Sequence, residues 1–350
     1  MADIADVLAE KVRAAAAAKT PLAVQGTNSR HFLGRAVESE TLSIAEHAGI
    51  IDYEPRELVI TARAGTPLAE IEAALDAAGQ MLAFEPPRFS AESTLGGAIA
   101  SGLSGPRRAY AGAVRDFVLG CRVVNGKGEI LKFGGQVMKN VAGYDVSRLM
   151  TGAYGTLGVL LDVSLKVLPK PAASLTLVRE YPVDQALRRM RELAGKPWPV
   201  DASCHLDGRL YLRLSGSPEA VETAKRRLGG EVLAGDELFW QHLRDWQLPM
   251  FNERPFWRLS LPAAAPMLPL DGEWLIEWGG AQRWLKTEQE IDVVRQTVAD
   301  AGGHATLIGD QAGEDVFHPL PPALLALHRQ LKQAFDPANI LNPGRLYPEL

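Results

Sequence analysis

Cysteine is nearly absent from this chain of 350 residues. Cys121 and Cys204 are the only two, far apart and without the short spacing of a metal-binding pair. No zinc or iron–sulfur site can be built from cysteine here, and a reducing compartment is expected. A block of positive charge is also missing: 37 Lys and Arg are interspersed with 42 Asp and Glu, for a formal net charge of −5. Without a basic footprint for phosphate backbones, nucleic acid is excluded as a partner. No window approaches the ~18 uncharged apolar residues that cross a bilayer. Direct membrane insertion is therefore not expected, and a cytoplasmic location is. The stretch from Met1 to Lys19 carries Asp3, Asp6, Glu10, Lys11 and Arg13, so it lacks the form of a secretory signal and reads as an exposed helix. Finally, no G-x-G-x-x-G joins the first strand to a helix, which argues against a nicotinamide-binding Rossmann unit.

What is present is a mixed pattern of short strands and helices. Pro21 to Val24, Leu58 to Ala62, Val118 to Val124 and Val159 to Val167 are apolar runs bounded by turn residues, the signature of strands. Between them Pro67 to Ala78 has helical spacing, with Thr66 as the expected N-cap and Gly79 as the stop. Two prolines in Lys166 to Pro171 close a strand and mark a domain boundary. Beyond it come a strand from Ser174 to Arg179, a helix around Asp184 to Leu193, a hairpin turning on Asp207-Gly208 and a helix from Pro218 to Leu228. Strands at Trp257 to Leu261, Glu273 to Trp278, Ala281 to Lys286 and His304 to Ile308, with a helix within Glu288 to Ala301, suit a compact α+β domain. A last helix is expected from Pro321 to Phe335.

Three glycine-bearing segments carry the chemistry. Pro21 to Gly34 (PLAVQGTNSRHFLG) is a strand that runs into a turn of small residues. Such a turn can present backbone N–H groups and hydroxyls together to a diphosphate, or it can be an ordinary strand-to-loop turn. Ser93 to Gly112 carries Gly96, Gly97, Gly102, Gly105 and Gly112 and runs through Arg115-Asp116 into a long apolar strand. Its backbone must adopt special angles or touch something closely, either a cofactor or a neighbouring layer. The third, Gly143-Tyr144-Asp145 with Gly152 and Gly155 to Val159, again puts turns just before a strand.

In order and spacing these segments resemble the vanillyl-alcohol-oxidase and p-cresol-methylhydroxylase (PCMH) flavoprotein family, especially its D-lactate and glycolate dehydrogenase branch. Thr94 to Ala100 matches T-x-G-G-x-I-A, Gly112 to Asp116 matches G-x-x-R-D, and Asn140 to Val159 matches the G-Y-D-L … G-x-x-G-T-L-G-I run. Phe335 to Arg345 matches F-D-P-x-x-I-L-N-P-G-K. The resemblance covers roughly residues 15 to 170 and the final fifteen. It implies an α+β fold: a PCMH-type FAD-binding domain of two α/β subdomains over 1–172, a smaller α+β cap over 173–308, and a C-terminal helix and loop over 309–350 that returns to the FAD site. It implies non-covalent FAD. Gln25, Gly26, Thr27, Asn28 and Ser29 would hold the diphosphate. Thr94, Gly96, Gly97, Ser101 and Gly102 would line the ribityl and flavin side, with Gly112, Arg115 and Asp116 in the adjoining motif. Gly158 and Val159 would meet adenine or flavin through backbone, and Asn342 and Arg345 would close the site.

Two family features are missing. Members that oxidise 2-hydroxy acids carry E-H-G-I-G before the last helix and often H-x-G-D-G-N-x-H in the cap. Here Gly309 to His318 reads GDQAGEDVFH, and the cap has no paired histidines. The side chains expected as general base and metal ligands are thus absent, and no catalytic residue or metal site is assigned. The combination is similar to a flavin-binding subunit of a glycolate oxidase or dehydrogenase. It would work beside a catalytic flavoprotein subunit and an iron–sulfur subunit, peripheral to the inner face of the membrane through them. A stand-alone flavin-dependent oxidase of another alcohol, or a flavin-empty scaffold, remain as alternatives. His31 does not sit in a covalent flavin-attachment motif. His205, Arg209 and Arg213 could face a substrate carboxylate or form a solvated strand face. The tryptophans Trp240, Trp246, Trp257, Trp274, Trp278 and Trp284, with Arg254 and Arg258, could be a protein interface or an aromatic core.

Overall fold

The computed structural model of the chain describes residues 3–135, 145–309 and 316–350. Its first sheet holds five antiparallel strands in the spatial order Ile50–Glu54, Val59–Arg63, Val159–Lys166, Val118–Val124 and Ile130–Gly134. Val159–Lys166 lies in the middle and is buried along almost its whole length, Asp162 and Ser164 included. The helix Ala5–Ala18 buries Leu8, Ala9, Val12 and Ala15 in the same core. This corrects the reading of an exposed helix: alanines complete a buried stripe at helical spacing, while Asp6, Val7, Glu10, Lys11, Arg13 and Ala14 face outward. The helix expected after Thr66 spans Leu68–Ala77, but Thr66 does not cap it. Its buried hydroxyl instead accepts the Gly49 backbone N–H at 2.8 Å and ties two turns together.

A separate parallel pair, Leu22–Gln25 with Glu40–Ser43, stands beside this sheet. The C-terminal segment adds to its edge: the Leu22 N–H donates to the Ile340 carbonyl at 2.7 Å, and the Asn342 N–H donates to the Leu22 carbonyl at 2.9 Å. The chain's end is therefore hydrogen-bonded to its first strand.

The change of sheet falls at the expected prolines. Leu168–Pro169 pairs with Gln80–Met81, and the next strand, Ala173–Glu180, enters an eight-stranded sheet. Its spatial order is Glu231–Val232, Ala173–Glu180, Arg209–Gly216, Val200–Leu206, Glu273–Glu277, Gln282–Lys286, Phe256–Ser260 and His304–Ile308. Asp207 and Gly208 both have positive φ, 49° and 73°, as the two-residue hairpin turn demands.

The tryptophans of this half form a core rather than an outer patch. Trp240, Trp257, Trp278 and Trp284 are buried, and Trp246 meets Trp284 at 4.9 Å between ring centroids. Arg213 is not on a solvated face either. It is buried, with Nη2 donating to Glu85 at 2.8 Å and Nε to Asp201 at 2.7 Å. Arg107 pairs with the same two acids, so one ionic cluster joins the glycine-rich half to the second sheet. Burial alone would raise the Glu85 carboxyl, but Arg213 and Arg107 beside it hold it below its ordinary range. His205 is buried against the Tyr181 carbonyl at 2.9 Å, and only Arg209 of that trio is exposed.

Candidate functional site

A cavity of about 610 Å³ opens beside the strand Leu22–Gln25. Its wall is formed by the loop that follows this strand, the start of the helix Leu95–Ser101, the turn at Tyr154 to Gly158, and Asn342 with Arg345 from the C-terminal segment. Gly309 and Val316 contribute from the far side. The volume is that of a site for a cofactor rather than a single ion, for which cavities of roughly 300–1,000 Å³ are usual.

The loop is fixed at both ends. Asn342 Oδ1 accepts the Val24 N–H at 2.7 Å while its Nδ2 donates to the Tyr154 carbonyl at 2.6 Å, so one buried amide holds two walls together. Arg345 Nη1 donates to the Arg35 carbonyl at 2.6 Å, and its Nη2 reaches the carbonyls of Arg30 and His31 at 3.4 and 3.3 Å. Past the turn, Phe32 and Leu33 enter the aromatic core of the second sheet, with Phe32 5.0 Å from Phe89. Tyr154 holds φ at 53°, a region that costs a non-glycine residue of order 1–3 kcal/mol. Its N–H bond to the Ala100 carbonyl at 2.9 Å and the Asn342 amide enforce that angle. Burial pushes its phenol up against the opposing pull of Arg258, Arg345 and Arg30.

Of the residues singled out in the sequence, Gln25, Gly26, Thr27, Asn28, Ser29, Thr94, Gly96, Gly97, Ser101, Gly158, Asn342 and Arg345 line this cavity together. Gly102, Gly112, Arg115, Asp116 and Val159 do not. Gly102 ends the helix Leu95–Ser101 in a left-handed turn against Gly152. Val159 is wholly buried in the sheet, and Asp116 turns back to accept the Ala113 N–H at 2.9 Å beside an exposed Arg115. Gly143 and Tyr144 lie outside the described residues, as does the stretch 310–315.

The hydroxyls that looked like ligand donors are mostly engaged within the protein. Thr27 Oγ1 donates to the Glu92 carbonyl at 2.9 Å, Ser101 Oγ to the Ala98 carbonyl at 3.2 Å, and Thr94 Oγ1 caps its helix by accepting the Gly97 N–H at 3.2 Å. The available donors are elsewhere. None of the backbone N–H groups from Gly26 to Arg30 donates to another described residue, which leaves a row of main-chain donors suited to an anion. Arg30 Nε and Nη1, Arg35 Nη1 and Ser39 Oγ are buried without a partner, and all three residues line the cavity. Among its described lining residues there are three arginines and neither aspartate nor glutamate. A wall whose described residues carry unpaired donors and no carboxylate fits an anionic ligand with several oxygens, such as a diphosphate. The sequence signal for the arginines was their place in the small-residue loop, which reading for glycines and hydroxyls passes over.

Gly96 and Gly97 differ in what they face. A Cβ on Gly96 would stand 2.9 Å from both Cβ and the carbonyl oxygen of Ala64, against the core, whereas one on Gly97 would stand 3.2 Å from Arg30 Nη1. Gly96→Val is accordingly expected to destabilise the protein by about 1–3 kcal/mol through overpacking. Thermal denaturation checks this, and an unchanged melting temperature with lost ligand binding would place the side chain in the cavity instead.

A cavity of this size and donor pattern, set beside the parallel strand pair, defines a protein that holds a phosphate-bearing cofactor. Comparison with known proteins gives the class. Residues 2–134 match the FAD binding domain model, and residues 291–346 match that of the FAD linked oxidases, C-terminal domain. The chain is 52% identical over 349 residues to the glycolate oxidase subunit GlcE of Escherichia coli (strain K12), covering 99% of each protein. It is 34% identical to the glycolate oxidase subunit GlcD of Bacillus subtilis (strain 168) over 147 residues, which span 41% of this chain and 31% of that protein. Its fold is shared with p-cresol methylhydroxylase, with a TM-score of 0.76 at 16% identity over 98% of this chain and 87% of that one. The 4-ethylphenol oxidase of Gulosibacter chungangensis gives 0.71 at 13% identity over 99% of this chain and 88% of that one. The chain belongs to the family of FAD-linked oxidases with the PCMH-type fold, and is an FAD-dependent oxidoreductase subunit.

Proposed function

We propose that this chain is the FAD-binding subunit of a glycolate-oxidising complex, in which glycolate becomes glyoxylate and the electrons pass onward to an iron–sulfur subunit. The observation that carries the reading is identity of 52% along the full length of a glycolate oxidase subunit. The cavity, with unpaired donors and no acid among its described lining residues, supports it from the side of the cofactor. Bound FAD supplies the two-electron redox chemistry, and the protein positions it. The backbone N–H groups of Gly26 to Arg30 would donate to the diphosphate, and Asn342, bonded to Val24, and Arg345, bonded to Arg35, hold the two ends of that loop. The proposed division places the FAD-binding domain at 1–172, the cap at 173–308 and the returning segment at 309–350.

The chemical step on glycolate is assigned to a partner catalytic flavoprotein subunit, because the two histidine motifs of hydroxy-acid oxidation are replaced in this sequence. Any place at the membrane comes through such partners, as no helix among the described residues is long and apolar enough to cross one. The test is anaerobic spectroscopy of the isolated, FAD-loaded chain. Retained yellow colour with glycolate alone, and bleaching once the catalytic subunit is added, is the expected result. Failure to take up FAD counters the proposal, while bleaching by the isolated chain favours a self-sufficient oxidase.

A further inference from the structure

Arg30 is 8% exposed and carries five N–H bonds. Only Nη2 has a protein partner, the Pro87 carbonyl at 2.6 Å, while Nε and Nη1 are buried with none. Among the described residues no carboxylate forms an ion pair with it. Asp245, whose charge reaches it, is already engaged by the Arg88 backbone N–H at 2.7 Å and by Arg244 through Nε at 2.8 Å and Nη2 at 2.7 Å. The Phe89 ring 5.3 Å from its Cζ offers a weaker compensation. Burial pushes the guanidinium down to about 10, so it stays charged at neutral pH. An uncompensated buried cation is costly to the folded state unless something else supplies the anion. Arg30 is one of the residues that line the cavity, its Nη1 lies beside the bare face of Gly97, and its own backbone N–H closes the row of free donors from Gly26.

We propose that Arg30 is the charge that pairs with the diphosphate of the bound cofactor, its Nε and Nη1 donating to phosphoryl oxygens beside the backbone N–H groups of the same loop. The assignment rests on the FAD reading of this cavity. It makes the loop selective for a phosphorylated flavin over a neutral one. It also makes the empty protein carry a destabilising charge that the cofactor relieves.

The experiment compares the full chain with Arg30→Gln and Arg30→Lys, titrated with FAD, ADP and riboflavin and followed by thermal denaturation. Arg30→Gln is expected to weaken FAD and ADP roughly 10- to 100-fold, the effect of losing charge-assisted hydrogen bonds. Riboflavin, which has no phosphate, should keep its affinity, and Arg30→Lys should recover part of the loss. The cofactor-free Arg30→Gln protein should melt higher than the wild type while its gain on adding FAD shrinks, an opposition that a merely structural arginine does not produce. Unchanged FAD and ADP affinity in both variants overturns the proposal, as does a parallel loss for riboflavin, which would put the arginine on the ring or on a substrate carboxylate. A wild-type chain that takes up neither FAD nor ADP overturns the flavin reading itself, and with it this one.

Discussion

Lys332→Met is expected to cost the protein about 3–5 kcal/mol and to weaken FAD binding, although Lys332 does not line the cavity. The ammonium is buried near the end of the helix Pro322–Phe335, with Nζ donating to the Thr156 carbonyl at 2.8 Å, the Leu341 carbonyl at 2.6 Å and Asp336 at 2.8 Å. All three of its protons are thus directed at buried oxygens. Burial lowers its basicity, and Asp336 pulls the other way. Asp336 also accepts the Leu341 N–H at 2.7 Å and is 1% exposed. Removing the ammonium leaves that carboxylate buried without its cation, the most damaging way to break such a pair. Leu341 adjoins Asn342, the amide that holds the first strand to the Tyr154 turn, so loosening the anchor loosens the cavity wall. Denaturant unfolding and FAD titration of the variant check both effects. A loss under about 1 kcal/mol would mean that the ion pair is dispensable, whereas recovery in a Lys332→Met, Asp336→Leu double variant would support the stranded charge as the cause.

The same segment shows where reading the sequence succeeds and where it stops. The motif from Phe335 to Arg345 pointed to Asn342 and Arg345 as closing the site, and both reach the cavity. Their hydrogen bonds, however, go to protein carbonyls and N–H groups, so they build the wall that a ligand would touch. Local rules did well where local rules decide: the Asp207-Gly208 hairpin, the prolines at the change of sheet and the buried run of Val159–Lys166. They failed where a side chain's role depends on distant neighbours. Arg213 finds Glu85 across 128 positions of sequence, and no spacing announces that. Arg30 looked like one more loop residue, because a guanidinium is left with open N–H bonds only once the fold has shown which oxygens lie near it. Thr94 and Ser101 show the converse, since hydroxyls in a glycine-rich turn bond readily to backbone three residues away and so are removed from the set of ligand donors.

As pH rises from 4.5 to 7, Glu277 is expected to withdraw a contribution of about 3 kcal/mol to stability, while His205, His304 and His318, whose burial lowers them, contribute in the opposite sense. This acid ends the strand Glu273–Glu277 and is 3% exposed. Burial pushes its carboxyl up to about 7, against the Trp284 and Gln282 N–H groups and the charge of Arg258. In the unfolded chain the same group titrates near 4.5. Over the interval between those values the folded state binds the extra proton, so this contribution is full below 4.5, falls through the window and levels off above about 7. This is the reverse of a salt-bridged carboxylate. Glu277→Gln cannot ionise, and its amide oxygen can keep both bonds, because Gln282 Nε2 and Trp284 Nε1 donate to the same oxygen, Oε1. The variant should match the wild type near pH 5 and exceed it by about 2–3 kcal/mol near pH 8, read by chemical denaturation at both values. A gap between variant and wild type that stays constant from pH 5 to pH 8 would show that Glu277 is not the group responsible. Because Glu277 does not line the cavity, FAD affinity at pH 8 should be unchanged in the same variant. That separates a charge held inside the second sheet from the arginines that line the cavity.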